Sequence, residues 1–446
     1  MSLNPWLTMA IVTLVLLALF AGLRAYQTRY SPHPEFVRKL LHIMMGSITL
    51  TFPWLFNETW PVVTLAASTI IGLWVLKNYK AMRQQWGDVL HGVSRNSLGE
   101  IYFPAAVALL FVLADGNALL FCIPILILTL ADALAALIGV RYGQVKYKTS
   151  EGSKSLEGSL AFFTVAFLSV HIPLLLFSDV GRTESLLIAL IMGILVMLFE
   201  AIAWRGLDNL FIPLGSFILL KTYLPMDTDL LILKLFVLAL LLVGFYLIRR
   251  KTTLDDSAIL GLVLIAYVTW SVESWLWLLA PCTVFIAYVL FNLNANTRVE
   301  RTHSIQAVVC VGMPSLVILF LARGLDQPQL LYPYTLAYAV QLTLIGLARI
   351  KFDHAEFNNT RILLQASFQG WTLLLIPLTI VAFTLGAIYY ALIAAVLVFL
   401  SACLFLRWQP QMQDCPTDNA RWWRQGSIAI SAALISSVPH YLFGEI

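Results

Sequence analysis

Apolar runs of about 17–22 residues, parted by short polar breaks, repeat along almost the whole chain. A helix needs about 20 such residues to cross the hydrocarbon core, so each run predicts a transmembrane helix. The runs are approximately 5–24, 36–56, 60–77, 101–114, 118–140, 157–177, 184–204, 210–224, 229–248, 256–274, 275–292, 304–322, 331–349, 365–385, 386–406 and 426–443. The short runs 101–114 and 210–224 suit tilted, broken or re-entrant segments. The predicted fold is an all-α polytopic integral membrane protein of about sixteen spans. It has two eight-helix halves, residues 1–224 and 225–446.

Composition sharpens this. The chain is 60% hydrophobic and 12% charged, with a mean hydropathy of +0.84. The net charge of +4 sits in short loops between runs, where it argues orientation and not nucleic-acid binding. Basic residues gather in alternate loops: Arg24 to Lys39, Lys77 to Arg95, Arg141 to Lys154, Arg205, Arg249 to Lys251, Arg298 and Arg301, Arg349 to Arg361, and Arg407 to Arg424. That alternation predicts basic loops in the cytoplasm and both termini outside, in a plasma membrane of the bacterial inner-membrane kind. The five scattered cysteines form neither a metal motif nor a disulfide framework. The first run is long enough to span and lacks a cleavage site, so it reads as a retained helix.

The informative positions are the polar ones inside runs. An acid near mid-helix costs about 2.5–3.5 kcal/mol on insertion scales, which makes Asp132 a functional-site hypothesis. It shares a helical face with Ala135, Ala136, Gly139 and Gly143, along which another backbone or a phosphate can approach. The following loop carries Arg141, Lys146, Lys148 and Lys154. Lys154-Ser155-Leu156-Glu157-Gly158-Ser159 then opens the next helix, with free N–H groups suited to an anion. A packing face plus a basic inside loop is the plainer reading. Both features flanking one buried acid favour function.

Further clusters fall on the same side. Glu35, Arg38, Lys39 and His42 form one stripe over two turns, suited to a polyphosphate or to a snorkelling basic collar. Arg95, Ser97, Gly99 and Glu100 precede the run 101–114, as helix-start chemistry or as a metal and phosphate network. Glu200 lies one turn from the inner end of its run, and Asp208, Asn209 and Pro213 follow. These oxygens could ligate Mg²⁺, or Asp208 could cap a helix and Asn209 turn the chain.

Asp132 lies about 12 Å above the inner end of its span, at 1.5 Å per residue. Carboxylates, cations and a Gly-Ser helix start therefore gather in one leaflet, with no Cys/His ligand set. This points to Mg²⁺–nucleotide chemistry and to phosphoryl transfer onto a lipid alcohol. Arg38, Lys39 and Lys154 would neutralise phosphate, with His42, Arg95, Gly139, Gly143, Ser155 and Gly158 as further nucleotide or phosphate contacts. Asp132 would orient the hydroxyl or bind Mg²⁺, with Glu157 and Glu200 as further base or metal candidates. Glu100, Asp208 and Asn209 complete the candidate metal ligands.

The ordered blocks R-K-x-x-H (38–42), R-x-S-x-G-E (95–100), D-x6-G-x3-G (132–143), K-S-x-E-G-S (154–159) and E-A…G-L-D-N…P (200–213) resemble the phytol kinase and dolichol kinase family. The phytol kinase branch is the nearest. The resemblance covers about residues 1–224 and implies a membrane lipid kinase that uses CTP. It carries Arg38, Lys39, Asp132, Gly139, Lys154, Glu157 and Gly158 into the site. No Walker A or kinase Gly-rich loop occurs, as that family leads one to expect. Two alternatives stay open. A transporter would spread polar residues near the midplane of both halves. A cytidylyltransferase making a CDP-lipid would carry a longer signature, with Lys-Asp and a Gly-rich Asp-Arg ending, that is absent here.

Residues 298–322 repeat the cadence of 38–56, which suggests a duplicated unit similar to the sister family of phytyl phosphate kinases. Yet span 331–349 holds no acid where Asp132 would have its counterpart, and no K-S-x-E-G-S block follows. A decayed or structural repeat is expected for 225–446.

Overall fold

The breaks between apolar runs become helix ends, each set by its own residues. A computed structural model describes residues 4–78, 99–149, 152–293, 303–354, 356–381, 385–409 and 419–442. Asn4 caps α1 (Pro5–Tyr30), its side chain accepting from the Trp6 N–H at 3.0 Å. Pro5 takes the first turn, where its missing N–H costs nothing. His33 and Pro34 repeat the device at α2 (Pro34–Thr49), with His33 Nδ1 accepting from the Glu35 N–H at 3.3 Å. Then come α3 (Phe52–Leu55), α4 (Thr59–Asn78), α5 (Gly99–Ala114) and α6 (Ala118–Leu126), the last capped by Asn117.

α6 does not stop. It passes through a five-residue π turn, Ile127–Ala131, into α7 (Asp132–Tyr142). Pro124, inside α6 just before this turn, has no N–H to give to the helix ladder. Where the sequence predicted a hydrophilic loop, the chain forms an antiparallel hairpin of β1 (Lys146–Thr149) and β2 (Gly152–Ser155). Lys146 stands opposite Ser155 and Thr149 opposite Gly152. α8 (Leu156–Phe177), α9 (Arg182–Ile202), α10 (Asp208–Tyr223) and α11 (Thr228–Ile248) follow.

The chain divides into two units, Met1–Leu238 and Ala239–Ile446, and the division falls inside α11. The second unit holds α12 (Asp256–Val272), α13 (Trp275–Leu293), α14 (Ile305–Leu325), α15 (Leu331–Asp353), α16 (Asn359–Val381), α17 (Leu385–Trp408) and α18 (Asn419–Leu442). α15 is its axis, packed by α13, α14, α16, α17 and α18.

Among the described residues, nine helices are long and apolar enough to cross a membrane, and four further apolar helices are shorter. Leu14, Ile232, Phe236 and Leu240 face outward from two of the long ones, as lipid contact requires. Of the remaining predicted spans, α2 and α10 have 16 residues each, about 24 Å against a hydrocarbon core of about 30 Å. The third, α18, has 24 residues and a more polar composition. The architecture among the described residues is that of an all-α membrane protein with one small hairpin.

Candidate active site

α2 lies against the π turn and α7. Lys39 Nζ donates to Asp132 Oδ2 at 2.7 Å, with the two side chains only 7% and 11% exposed. Two ions withdrawn this far from water persist only as a well-made pair. One turn on, His42 Nε2–H donates to the Leu128 carbonyl at 2.9 Å, and the same nitrogen stands 3.6 Å from Asp132 Oδ2. Arg38 instead pairs with Glu35 at 2.8 Å and stays 43% exposed. Phe103 meets the His42 ring edge-on, which brings the first turn of α5, with Glu100, to this side.

A second ion pair completes the cluster. Lys154 Nζ, on β2, donates to Glu200 Oε1 at 2.7 Å and also to the Glu200 backbone carbonyl. Burial alone would lower the Lys154 pKa, but the charge and hydrogen bonds of Glu200 outweigh that loss and raise it. Asp208 follows a tight turn in which Arg205 and Gly206 take φ of 55° and 80°. It makes no cap, since the α10 N-cap position is Leu207 and has no side-chain bond. Its carboxylate instead lies in electrostatic reach of Asp132, Glu200, Lys39 and Lys154, and Arg38 feels both Asp132 and Asp208. Residues from α2, α7, β2, α9 and α10 thus converge on one charged cluster.

The small-residue motifs have a packing role in this arrangement. A Cβ on Gly158 would come 3.0 Å from the Ala135 carbonyl and 3.3 Å from Gly139 Cα. Glycine there lets α8 rest on the small-residue face of α7, so a backbone occupies that face. Gly143 ends α7, and Ser155 caps α8, its Oγ accepting from the Gly158 N–H at 3.1 Å. Glu157 Oε1 accepts from the Val145 N–H at 3.2 Å and closes the base of the hairpin. Tyr147 pins the hairpin to α8 through a 2.7 Å bond to Ser159. Beside Asp208, Asn209 Oδ1 is buried with no partner among the described residues. Arg95 and Ser97 lie outside the described residues.

Sequence reasoning placed the individual charges but missed the Lys39–Asp132 and Lys154–Glu200 pairings and the π turn. The hairpin had a signal in the alternation of Lys146 and Lys148 with Tyr147 and Thr149.

Comparison with known proteins now adds identity to geometry. The phytol kinase of Synechocystis sp. is 31% identical over 184 residues, 41% of this chain and 76% of that protein. The chain belongs to the phytol kinase family. No family model matches it, and no solved structure does. Membership in the phytol kinase family, with the long apolar helices, makes it a multi-pass membrane protein.

Proposed function

We propose that the chain is a membrane lipid kinase that moves the γ-phosphate of CTP to the hydroxyl of a prenol-type lipid alcohol such as phytol. The observation that carries this is the buried Lys39–Asp132 pair, ringed by Arg38, Lys154, Glu200 and Asp208. Phosphoryl transfer needs little covalent chemistry from the protein and mainly asks for positioning and charge. A carboxylate inside a membrane helix can orient a lipid hydroxyl whose tail lies in the bilayer. Asp132 orients the hydroxyl, and a neighbouring carboxylate of the cluster takes its proton as the oxygen forms its bond to the γ-phosphorus and the bond to the β-phosphate bridging oxygen breaks. Arg38 and Lys154 would neutralise charge on the phosphate oxygens. The alternation of basic loops supports a cluster at the cytoplasmic leaflet, open to soluble nucleotide.

The residues fit a Mg²⁺ ion carried in with the nucleotide. Glu35, Asp132, Glu200 and Asp208 supply four carboxylates against the three cations Arg38, Lys39 and Lys154, so the cluster by itself is no anion trap. Among the described residues no three His, Cys, Asp or Glu side chains gather as a complete ligand set. Mg²⁺ asks for less, binding through one or two carboxylates, waters and substrate phosphates. Asp132 and Asp208 would hold it, and it would supply neutralisation of the phosphate oxygens. Glu100 and Asn209 stand as outer contributors.

The test uses purified protein in native lipid with γ-labelled CTP or ATP and a panel of phytol, polyprenols and diacylglycerol. Label is expected in phytol or a polyprenol with CTP as donor. Label in no lipid with either nucleotide would refute the reading.

A further inference from the structure

The π turn is the feature that phosphoryl transfer leaves unused. Asp132 is the residue directly after Ile127–Ala131. In π winding each N–H reaches back five residues in place of four. The extra residue turns the chain beyond it by about 100°, one residue's share of an α-helical turn. Without it Asp132 would point elsewhere.

Three residues of α2, spaced i, i+3 and i+7 along one face, meet this turn. Lys39 Nζ holds Asp132 Oδ2 at 2.7 Å, and His42 Nε2–H donates to the Leu128 carbonyl at 2.9 Å. Gly46 lies so near Thr129 that a Cβ would collide with the Thr129 side chain. Leu128 and Thr129 belong to the π turn itself. The Nε2 proton is already given to a carbonyl, so that nitrogen does not offer it to a phosphate.

We infer that His42 is a positioning residue: it holds the π turn at Leu128 and thereby aims the Asp132 carboxylate. This rests on the lipid kinase reading and gives His42 a different part from the phosphate contact that its sequence stripe suggested. Phe103 on the ring edge and Lys39 on the carboxylate complete the restraint.

Two substitutions separate the roles. His42→Gln keeps an N–H at the place of Nε2, whereas His42→Phe keeps an aromatic ring against Phe103 and loses the donor. A misplacement of about 1 Å can cost of order 10²-fold in rate, so His42→Phe is expected to lower kcat by about that factor. The KM for CTP and for lipid should each stay within about twofold, and His42→Gln should restore kcat to within about fivefold of the unaltered protein. A raised KM for CTP with kcat intact would overturn the inference in favour of a phosphate contact. Equal losses in both variants would overturn it as well. One readout needs no activity: the ¹⁵N spectrum of histidine-labelled full-length protein, with the His42 signal identified by its loss in His42→Gln. The Nε2–H tautomer is expected, and an Nδ1–H tautomer overturns the inference. Failure of the unaltered protein to label any alcohol would count against the kinase reading, and the spectrum would still judge His42.

Discussion

In the first unit, the polar side chains sunk among apolar helices include charged ones beside buried Ser and Thr, with Lys39, Asp132 and Lys234 all buried. Along α15 of the second unit they are neutral: Tyr334, Tyr338 and Gln341 line one face of the helix, fully buried. Gln341 Nε2 donates to the Cys310 carbonyl at 2.9 Å, and Ser315 donates to the Tyr334 carbonyl at 3.2 Å. Among the described residues, Arg421 is the one buried charge of the second unit. Neutral hydrogen bonds of this kind join helices at small cost. A buried ion pair must first lose its water, and replacing it with apolar residues is often neutral or stabilising. Such a pair inside a membrane helix therefore marks chemistry, and the neutral face of α15 marks packing. On the proposed function, the contrast would place transfer in the first unit.

The largest effect should come from Asp132→Asn, which keeps volume and removes charge. Phosphoryl transfer should fall at least about 10²- to 10³-fold, read as labelled lipid. The variant leaves Lys39 buried without its counter-ion, at a cost of about 3–5 kcal/mol. The double change Lys39→Met, Asp132→Leu should recover most of that stability in a detergent melt and none of the activity. Recovery of activity as well would break the contrast.

Arg38→Gln should come next, raising the KM for CTP about tenfold while leaving that for the alcohol alone, since the lost attraction involves only the triphosphate. An effect confined to the lipid KM would return Arg38 to an interfacial collar. Gln341→Leu should cost about 0.6–1.7 kcal/mol of stability and leave transfer within about twofold.

The smallest effect concerns pH. The Lys154 pKa is raised in the folded protein, so the Lys154–Glu200 pair contributes its stability fully below the ordinary lysine value and loses it only as pH climbs through the raised one. From about pH 7 to about pH 9 the melting point should show no loss that Lys154→Met abolishes. A loss in that window, absent from the variant, would place the pKa below the ordinary value.

Much of this was legible in the chain. Helices followed from run length, and Asp132 stood out because an acid in such a run needs a reason. The ion pairs were not legible, because Lys39 and Asp132 are 93 residues apart and only packing joins them. The π turn was hidden for a different cause: it changes backbone winding without changing the apolar character of Ile127, Leu128 and Ala131. Asp208 read equally well as a helix cap, and only the fold sets its carboxylate beside Asp132, Glu200 and Lys154. The glycines of 139–158 were compatible with a phosphate or a backbone, and contact distances were needed to show the backbone.

The central claim, that the charged cluster of the first unit carries the chemistry, is tested most directly by one labelled-transfer measurement. Unaltered protein, Asp132→Asn and Gln341→Leu are given γ-labelled CTP and phytol in the same native lipid. Label is expected on the alcohol with the unaltered protein and with Gln341→Leu, and essentially none with Asp132→Asn. Near-normal turnover by Asp132→Asn, or loss of transfer in well-folded Gln341→Leu, would contradict that claim.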